Sequence, residues 1–322
     1  MIQFSDIQEA YGRLKGVVHH TPLLRSQTFD RTAGNTVFCK AENLQRIGAF
    51  KIRGAYHAIA SLSAEERRRG IVAHSSGNHA QGVALAAKLL NVKATVVMPR
   101  GSVRGKVEAA RGYGATVVFC EDSSEDRERV ARALEADHGY ILVPPFDDDR
   151  IIAGQGTVMM EIAEDVERLD YLFVPIGGGG LIAGCAVAAK QLFPSIRVIG
   201  VETLPANDAQ QSFRSKTIVR IPPPATIADG MRTQAVGKRN FEIMLRYVDD
   251  IVTVTDEQVV VMMRFFLERM KTLAEPTGAV APAAVFHNVL KLSGCRVAAV
   301  ISGGNTDPSL VARIMGSEDA GA

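Results

Sequence analysis

Short apolar runs alternate with longer Ala- and Leu-rich segments almost from one end of the chain to the other, and this alternation restricts the fold more than any other feature. Strands are expected at "TVFCKA" (36–41), "GIVAH" (70–74), "ATVVMP" (94–99), "ATVVFC" (115–120), "YLFVPI" (171–176), "RVIGVE" (197–202), "DIVTVT" (250–255) and "RVAAVIS" (296–302). Between them lie segments such as "AQGVALAAKLL" (80–90) and "LIAGCAVAAKQLF" (181–193), which suit helices. Such alternation argues for an α/β protein built on open, twisted, mostly parallel sheets with helices on both faces.

The strands fall into two series. One, between about residues 70 and 147, has compact βαβ spacing and stops at the Pro- and Asp-rich "VPPFDDD". The other follows a helix near 150–168 and runs on towards the C-terminus. We therefore expect a small domain at 70–147 set into a large domain made of 1–69 and 148–322, with strand 36–41 free to join either sheet. Open α/β sheets bind ligands at the carboxyl ends of their strands, so two such domains would form a cleft.

With 322 residues, 47% of them hydrophobic, the chain can bury a sizeable core. Its 37 basic side chains balance 35 acidic ones, for a net charge of +2, and so give no reason to expect nucleic acid or an anionic membrane as a partner. The densest basic run, "EERRRG", reads as the solvated end of a helix. Cys39, Cys120, Cys185 and Cys295 are widely spaced and make no CxxC pair, so they read as free thiols in a reducing compartment. The opening "MIQFSDIQEAYGRLKG" has a helical period but no apolar signal core, and no stretch approaches a membrane span. A cytoplasmic protein acting on a small molecule is expected.

The strongest anion signal is "VPIGGGGLIAG" (174–184), where a strand runs through four glycines into a helix. Backbone N–H groups can converge there on a phosphate, with the helix N-terminus adding its partial charge. No Lys-Ser or Lys-Thr follows, so this is not a P-loop. Gly178, Gly180 and Ala183 with Glu202 also fit a dinucleotide fingerprint, but that reading leaves three segments without a purpose. "HSSGNHAQG" (74–82) presents Ser75, Ser76, Gly77 and Asn78 at another helix start, which suits either a carboxylate or ordinary capping. "ISGGNTD" (301–307) holds Ser302 and Asn305 at a strand end. "GAFKIRGA" (48–55) puts Lys51 between Phe50 and Ile52, where it is either a lysine with its stem along apolar surface or a desolvated amine ready to attack a carbonyl. One cofactor uses all four segments: pyridoxal phosphate, with an aldehyde for the lysine and a phosphate for the glycines.

At these residues the chain resembles the fold-type II, tryptophan synthase β-like, pyridoxal-phosphate enzymes, and among them the serine/threonine dehydratases and serine racemases. "KAENLQRIGAFKIRGA", "SSGNHAQG", "AGQGT", "GGGGLIAG" and "SGGN" stand in the family's order over about residues 15–310. The resemblance implies that Lys51 binds the cofactor's aldehyde and later acts as base at the substrate Cα. It also implies that Phe50 packs near the ring, Asn78 meets the 3-hydroxyl, Gly177, Gly178, Gly179 and Gly180 hold the phosphate, and Ser302 faces the pyridine nitrogen. Ser75, Ser76, Asn78 and His79 would cradle the substrate carboxylate.

Many threonine dehydratases have "SAGN" where this chain has "SSGN", and Ser76 resembles the serine that racemases use as a second acid/base. Arg127 matches an arginine that racemase-like members place near the substrate. In "VETLPANDA" (201–209), Glu202, the carbonyl of Ala206 and Asp208 match their divalent-cation site, for Mg²⁺ or else Ca²⁺ or Mn²⁺, which displaces any ribose-binding role for Glu202. "DDD" (147–149) and "HH" (19–20) read as loop and capping residues, and "PPPATIADGMRTQ" (222–234), with Thr233, as pocket lining. The expected activity is a dehydratase, or ammonia-lyase, turning L-threonine or L-serine into a 2-keto acid and ammonia. Serine racemase and threo-3-hydroxyaspartate ammonia-lyase are the alternatives. A homodimer without an appended effector domain is expected.

Overall fold

The computed structural model describes residues 1–75, 77–102 and 104–316. Its ten strands are β1 (Leu23–Leu24), β2 (Thr36–Ala41), β3 (Ile71–His74), β4 (Ala94–Pro99), β5 (Thr116–Cys120), β6 (Ile141–Leu142), β7 (Tyr171–Pro175), β8 (Arg197–Thr203), β9 (Asp250–Val254) and β10 (Arg296–Ile301). Six of them form one sheet in the order β1-β2-β10-β7-β8-β9, and four form a second in the order β5-β4-β3-β6. Every pairing is parallel except that of β1 with β2. The fold is the expected α/β class, and β2 belongs to the larger sheet, paired with β10 from Thr36↔Arg296 to Ala41↔Ile301.

Parallel strands are covered on both faces and so read as unbroken apolar runs. The central ones obey this: β4 and β7–β8 are buried nearly throughout. The larger sheet is packed on its two faces by separate apolar clusters, one around Ile152, Ile182 and Val198, the other around Phe29, Phe173 and Val280. A third cluster under the smaller sheet takes in Ile52, Ala55 and Ile59, so the helix Lys51–Ala60 packs into it although it precedes that sheet in the chain.

The "AGQGT" segment explains how three helices meet. In helix Asp149–Asp165, a Cβ on Gly154 would lie 2.6 Å from Gly54 Cα, and one on Gly156 would lie 2.8 Å from the Gly184 carbonyl oxygen. Only hydrogen fits at either contact. Helix Asp149–Asp165 is thereby wedged between the helix that starts at Lys51 and the helix Gly180–Leu192 that follows the four glycines.

Cys39, Cys120 and Cys185 are buried and Cys295 is partly buried, and all four are free thiols. Among the described residues, no helix is long and apolar enough to cross a membrane.

Candidate active site

Lys51 opens its helix, so its ammonium sits at the positive end of the helix dipole, where a cation is disfavoured. Its Nζ donates a hydrogen bond to the Pro145 carbonyl at 2.7 Å and lies 5.1 Å from the centre of the Phe50 ring. Desolvation lowers its pKa to about 8, against the opposing pull of the Glu275 carboxylate. The amine is therefore desolvated, and it lies against the segment that follows the smaller sheet. Across from it, a Cβ on Gly82 would come within 3.1 Å of the Lys51 carbonyl carbon, which holds helix Asn78–Leu89 against the lysine's own backbone.

The four glycines lie between the carboxyl end of β7 and the start of helix Gly180–Leu192. A Cβ on Gly178 would fall 2.2 Å from the Phe146 ring, and Gly179 has φ +92°, a conformation that L side chains rarely adopt. The Gly178 carbonyl is turned away to accept from Asn240 Nδ2 at 2.6 Å and Gly237 N at 3.0 Å. Among the described residues, no backbone carbonyl accepts from the N–H groups of Gly177, Gly178 or Gly179. Three free donors just before the N-terminus of helix Gly180–Leu192 suit an oxyanion.

The "SGGN" turn follows β10. Ser302 is buried, and its carbonyl accepts from Phe50 N at 3.2 Å; Ala49 and Gly303 form an isolated bridge beside it. These contacts join the lysine segment to the strand end that carries the serine. Asn78 opens the neighbouring helix, with Nδ2 donating to Glu275 Oε1 at 2.6 Å and Oδ1 accepting from Asn305 Nδ2 at 2.9 Å. Asn305 in turn donates to the Ile47 carbonyl at 2.6 Å. Ile47 has φ +62°, an outlier for a β-branched residue, and this bond helps to hold it there.

Lys51, Phe50, Asn78, Ser302 and the glycine loop are thus brought together. Ser75 lies at the end of β3, accepting from Gly77 N at 3.1 Å, and Ser76 lies outside the described residues. The His79 ring is buried and pairs with the Val143 carbonyl at 3.0 Å, so this residue's contribution to the loop is its backbone. Burial, then the charge of Lys51, lowers the pKa of that ring to about 3, so it is neutral. Arg127 is half-buried on helix Ser124–His138, and after burial its charge is what holds His74 down to about 4.

Several site residues carried no sequence signal. Glu275 is 2% exposed, and burial followed by repulsion from Asp229 raises its pKa to about 8. It occupies an N-cap position before Pro276, yet its carboxylate reaches Asn78 instead of capping its own helix. Lys106 is 9% exposed and pairs with Asp229 at 2.5 Å; its Nζ stands 3.6 Å from where a Cβ on Gly77 would be. Pro145 and Phe146, read from sequence as part of a domain boundary, form the wall between lysine and glycines.

Away from the cleft, Glu202 is fully buried and accepts from Ala209 N at 3.1 Å and Gln210 N at 2.8 Å. Asp208 is 1% exposed, and among the described residues neither of its carboxylate oxygens meets a donor in hydrogen-bond geometry. Ala206 is buried in the turn between them. Burial raises Asp208 to about 7, and burial with the nearby Asp208 raises Glu202 well above the usual range. Among the described residues, no three His, Cys, Asp or Glu side chains are grouped to hold a metal.

An amine whose pKa is lowered to about 8, free backbone donors just before a helix start, and a buried serine at a strand end fit pyridoxal phosphate. The family model for pyridoxal-phosphate dependent enzymes matches residues 14–303, and the chain belongs to that family. It is 46% identical over 318 residues to L-threo-3-hydroxyaspartate ammonia-lyase of Saccharomyces cerevisiae, covering 99% of this chain and 98% of the relative. It is 44% identical over 315 residues to L-threonine ammonia-lyase of Thermotoga maritima, covering 98% of this chain and 78% of the relative. The structure of maize serine racemase superposes with a TM-score of 0.94 at 39% identity, over 97% of this chain and 96% of that one.

Proposed function

We propose that this protein is a pyridoxal-phosphate-dependent ammonia-lyase that converts a β-hydroxy amino acid to a 2-keto acid and ammonia, with L-threo-3-hydroxyaspartate preferred over L-serine and L-threonine. The observation that carries the lyase reading is Lys51: an amine with a pKa of about 8, anchored on the Pro145 carbonyl at 2.7 Å, its backbone packed against helix Asn78–Leu89 at Gly82. Pyridoxal phosphate, when bound, supplies the electron sink that makes the substrate's Cα proton acidic. Lys51 Nζ would hold the cofactor through its aldehyde carbon and would be the base that takes that proton. The free N–H groups of the glycine loop would hold the phosphate. Asn78, fixed on both sides by Glu275 and Asn305, keeps one amide hydrogen for the 3-hydroxyl. Ser302 would offer the ring nitrogen a hydroxyl, which does not protonate it fully. The weaker sink suits a reaction in which the leaving β-hydroxyl relieves the charge.

A second carboxylate on the substrate needs a cation. Lys106 beside Gly77, which a substrate carboxylate would have to share with Asp229, and the half-buried Arg127 are the candidate cations, and the similarity to the yeast hydroxyaspartate lyase points the same way. The test is keto-acid release from L-threo-3-hydroxyaspartate, L-serine and L-threonine by protein supplied with pyridoxal phosphate. Oxaloacetate formed fastest supports the reading; no keto acid from any of the three sinks it.

The likeness to serine racemase favours one second reading, in which Ser76 reprotonates Cα from the opposite face. Ser76→Ala then abolishes racemisation and spares dehydration. A divalent cation is proposed at Glu202, Asp208 and the Ala206 carbonyl: hard oxygen ligands suit Mg²⁺, Ca²⁺ or Mn²⁺, and the unpartnered Asp208 oxygens give the cation somewhere to bind.

A further inference from the structure

Arg53 is completely buried, two residues beyond Lys51 on the same helix. Two residues turn a helix by about 200°, so Lys51 looks into the cleft while Arg53 looks into the body of the protein. The guanidinium there is saturated. Nε and Nη2 donate to the two oxygens of Glu42, each at 2.7 Å, while Nη1 and Nη2 donate to the two oxygens of Glu161 at 2.7 and 2.8 Å. Lys40 Nζ completes the group, 2.7 Å from Glu161 Oε2 and 2.5 Å from the Thr21 carbonyl. Thr21 Oγ1 donates to Glu42 at 2.5 Å. Two cations and two anions are thus enclosed and mutually neutralised. Burial works against the charge on Arg53, and the two carboxylates outweigh it, so its pKa is raised.

The four charges come from different elements. Lys40 lies in β2, Glu42 in the turn that follows it, Glu161 in helix Asp149–Asp165 and Arg53 in the lysine's helix. Buried ion groups of this kind are seldom more stable than apolar residues of the same volume. Cohesion is in any case supplied by Ile52, Ala55 and Ile59 on the same helix. What a doubly bidentate guanidinium adds is direction: its planar fork fixes the rotation and axial position of the helix against sheet and neighbour together. We propose that Arg53, held by Glu42 and Glu161, is a positioning residue for Lys51, setting the register in which that amine meets the cleft. The inference rests on the reading of Lys51 as the reacting amine. Misplacement of a reacting group by about 1 Å is enough to cost on the order of 100-fold in rate.

The test compares the wild type with two variants of the full chain. One replaces the whole quartet by apolar residues (Lys40→Met, Glu42→Leu, Arg53→Met, Glu161→Leu), which leaves no buried charge unpaired. The other is Arg53→Lys, which keeps charge and loses the fork. Three readouts are taken: the melting temperature, the pH midpoint for acylation of Lys51 before cofactor is added (by peptide mass spectrometry), and kcat and KM for keto-acid release. The quartet variant is expected to melt within a few degrees of the wild type. Its Lys51 midpoint should rise from about 8 towards the ordinary ~10.4, and its kcat should fall about 100-fold with KM little changed. Arg53→Lys should move the last two in the same direction.

A Lys51 midpoint and kcat unchanged in either folded variant overturn the proposal. So does failure of both variants to fold, which assigns the quartet to folding alone. An ordinary Lys51 midpoint in the wild type, or activity surviving Lys51→Ala, sinks the reading of Lys51 itself and is distinct from both.

Discussion

Glu275 Oε1 accepts from Asn78 Nδ2 at 2.6 Å, while Glu275 Oε2 is buried with no partner among the described residues. A carboxylate so placed is costly when ionised, and burial together with Asp229 raises its pKa to about 8. In the unfolded chain the same group titrates near 4.5. Between these values the folded state holds a proton that the unfolded state has lost, so this group's contribution to stability is greatest at low pH and falls as pH rises through about 8. Glu275→Gln keeps the acceptor for Asn78 and removes the titration. Urea unfolding of the cofactor-free protein at pH 6 and pH 9 should show the variant losing less stability over that interval than the wild type. Equal losses in both would refute the assignment.

Lys51 behaves in the opposite sense. Its folded pKa of about 8 lies below the unfolded 10.5, so the folded state has already released a proton in that window, and this group's contribution rises with pH. Reaction of the cofactor-free protein with pyridoxal phosphate should therefore accelerate up to an inflection near 8. Lys51→Ala should form no borohydride-reducible adduct at this position and should lose at least about 1,000-fold in keto-acid release, as expected when a covalent base is removed. An inflection near that of free lysine would show that the amine is not desolvated.

Much of the architecture is legible in the chain, because buried parallel strands must be apolar on both faces and so stand out as continuous runs. β1 and β6, at two residues each, are too short to have a pattern. Lys51 and Gly177–Gly180 stand out as candidates because the features that mark them are local: an amine on a first turn, and backbone donors before a helix. Glu275 cannot, since it acquires meaning only beside Asn78, 197 residues away. Pro145 and Phe146 look like punctuation between domains until the fold brings one to the lysine and the other to the glycines. Two of the acids at 147–149 serve as caps, Asp147 accepting from the N–H groups of Lys238 and Arg239 at 3.1 and 2.9 Å and Asp148 capping its own helix, while Asp149 pairs with Arg239.

Gly178→Ala tests the cradle sterically. The added methyl would sit 2.2 Å from the Phe146 ring, so the ring or the loop must move. Overpacking of this kind costs about 1–3 kcal/mol, and a displaced loop loses its convergent N–H groups. Affinity for pyridoxal phosphate should fall about tenfold or more, and adding Phe146→Leu should restore part of it. Wild-type cofactor affinity in Gly178→Ala would mean that this glycine does not shape the cradle.

The proposed cation site has a signature in stability. Without metal, Asp208 holds a proton up to about 7 in the folded protein and only to about 3.8 when unfolded, so the metal-free fold loses stability as pH rises through that range. A divalent cation that binds the ionised pair removes the penalty and stabilises the fold in proportion to its occupancy. At pH 8, Mg²⁺ or Ca²⁺ should raise the melting temperature of the wild type and a chelator should lower it. Asp208→Asn should respond to neither, yet without metal it should melt above the metal-free wild type, because it carries no charge to bury. If the cations shift the wild type and the variant equally, they bind elsewhere. If they shift neither, Glu202 and Asp208 are buried acids that bind no cation, and the proposed site is refuted.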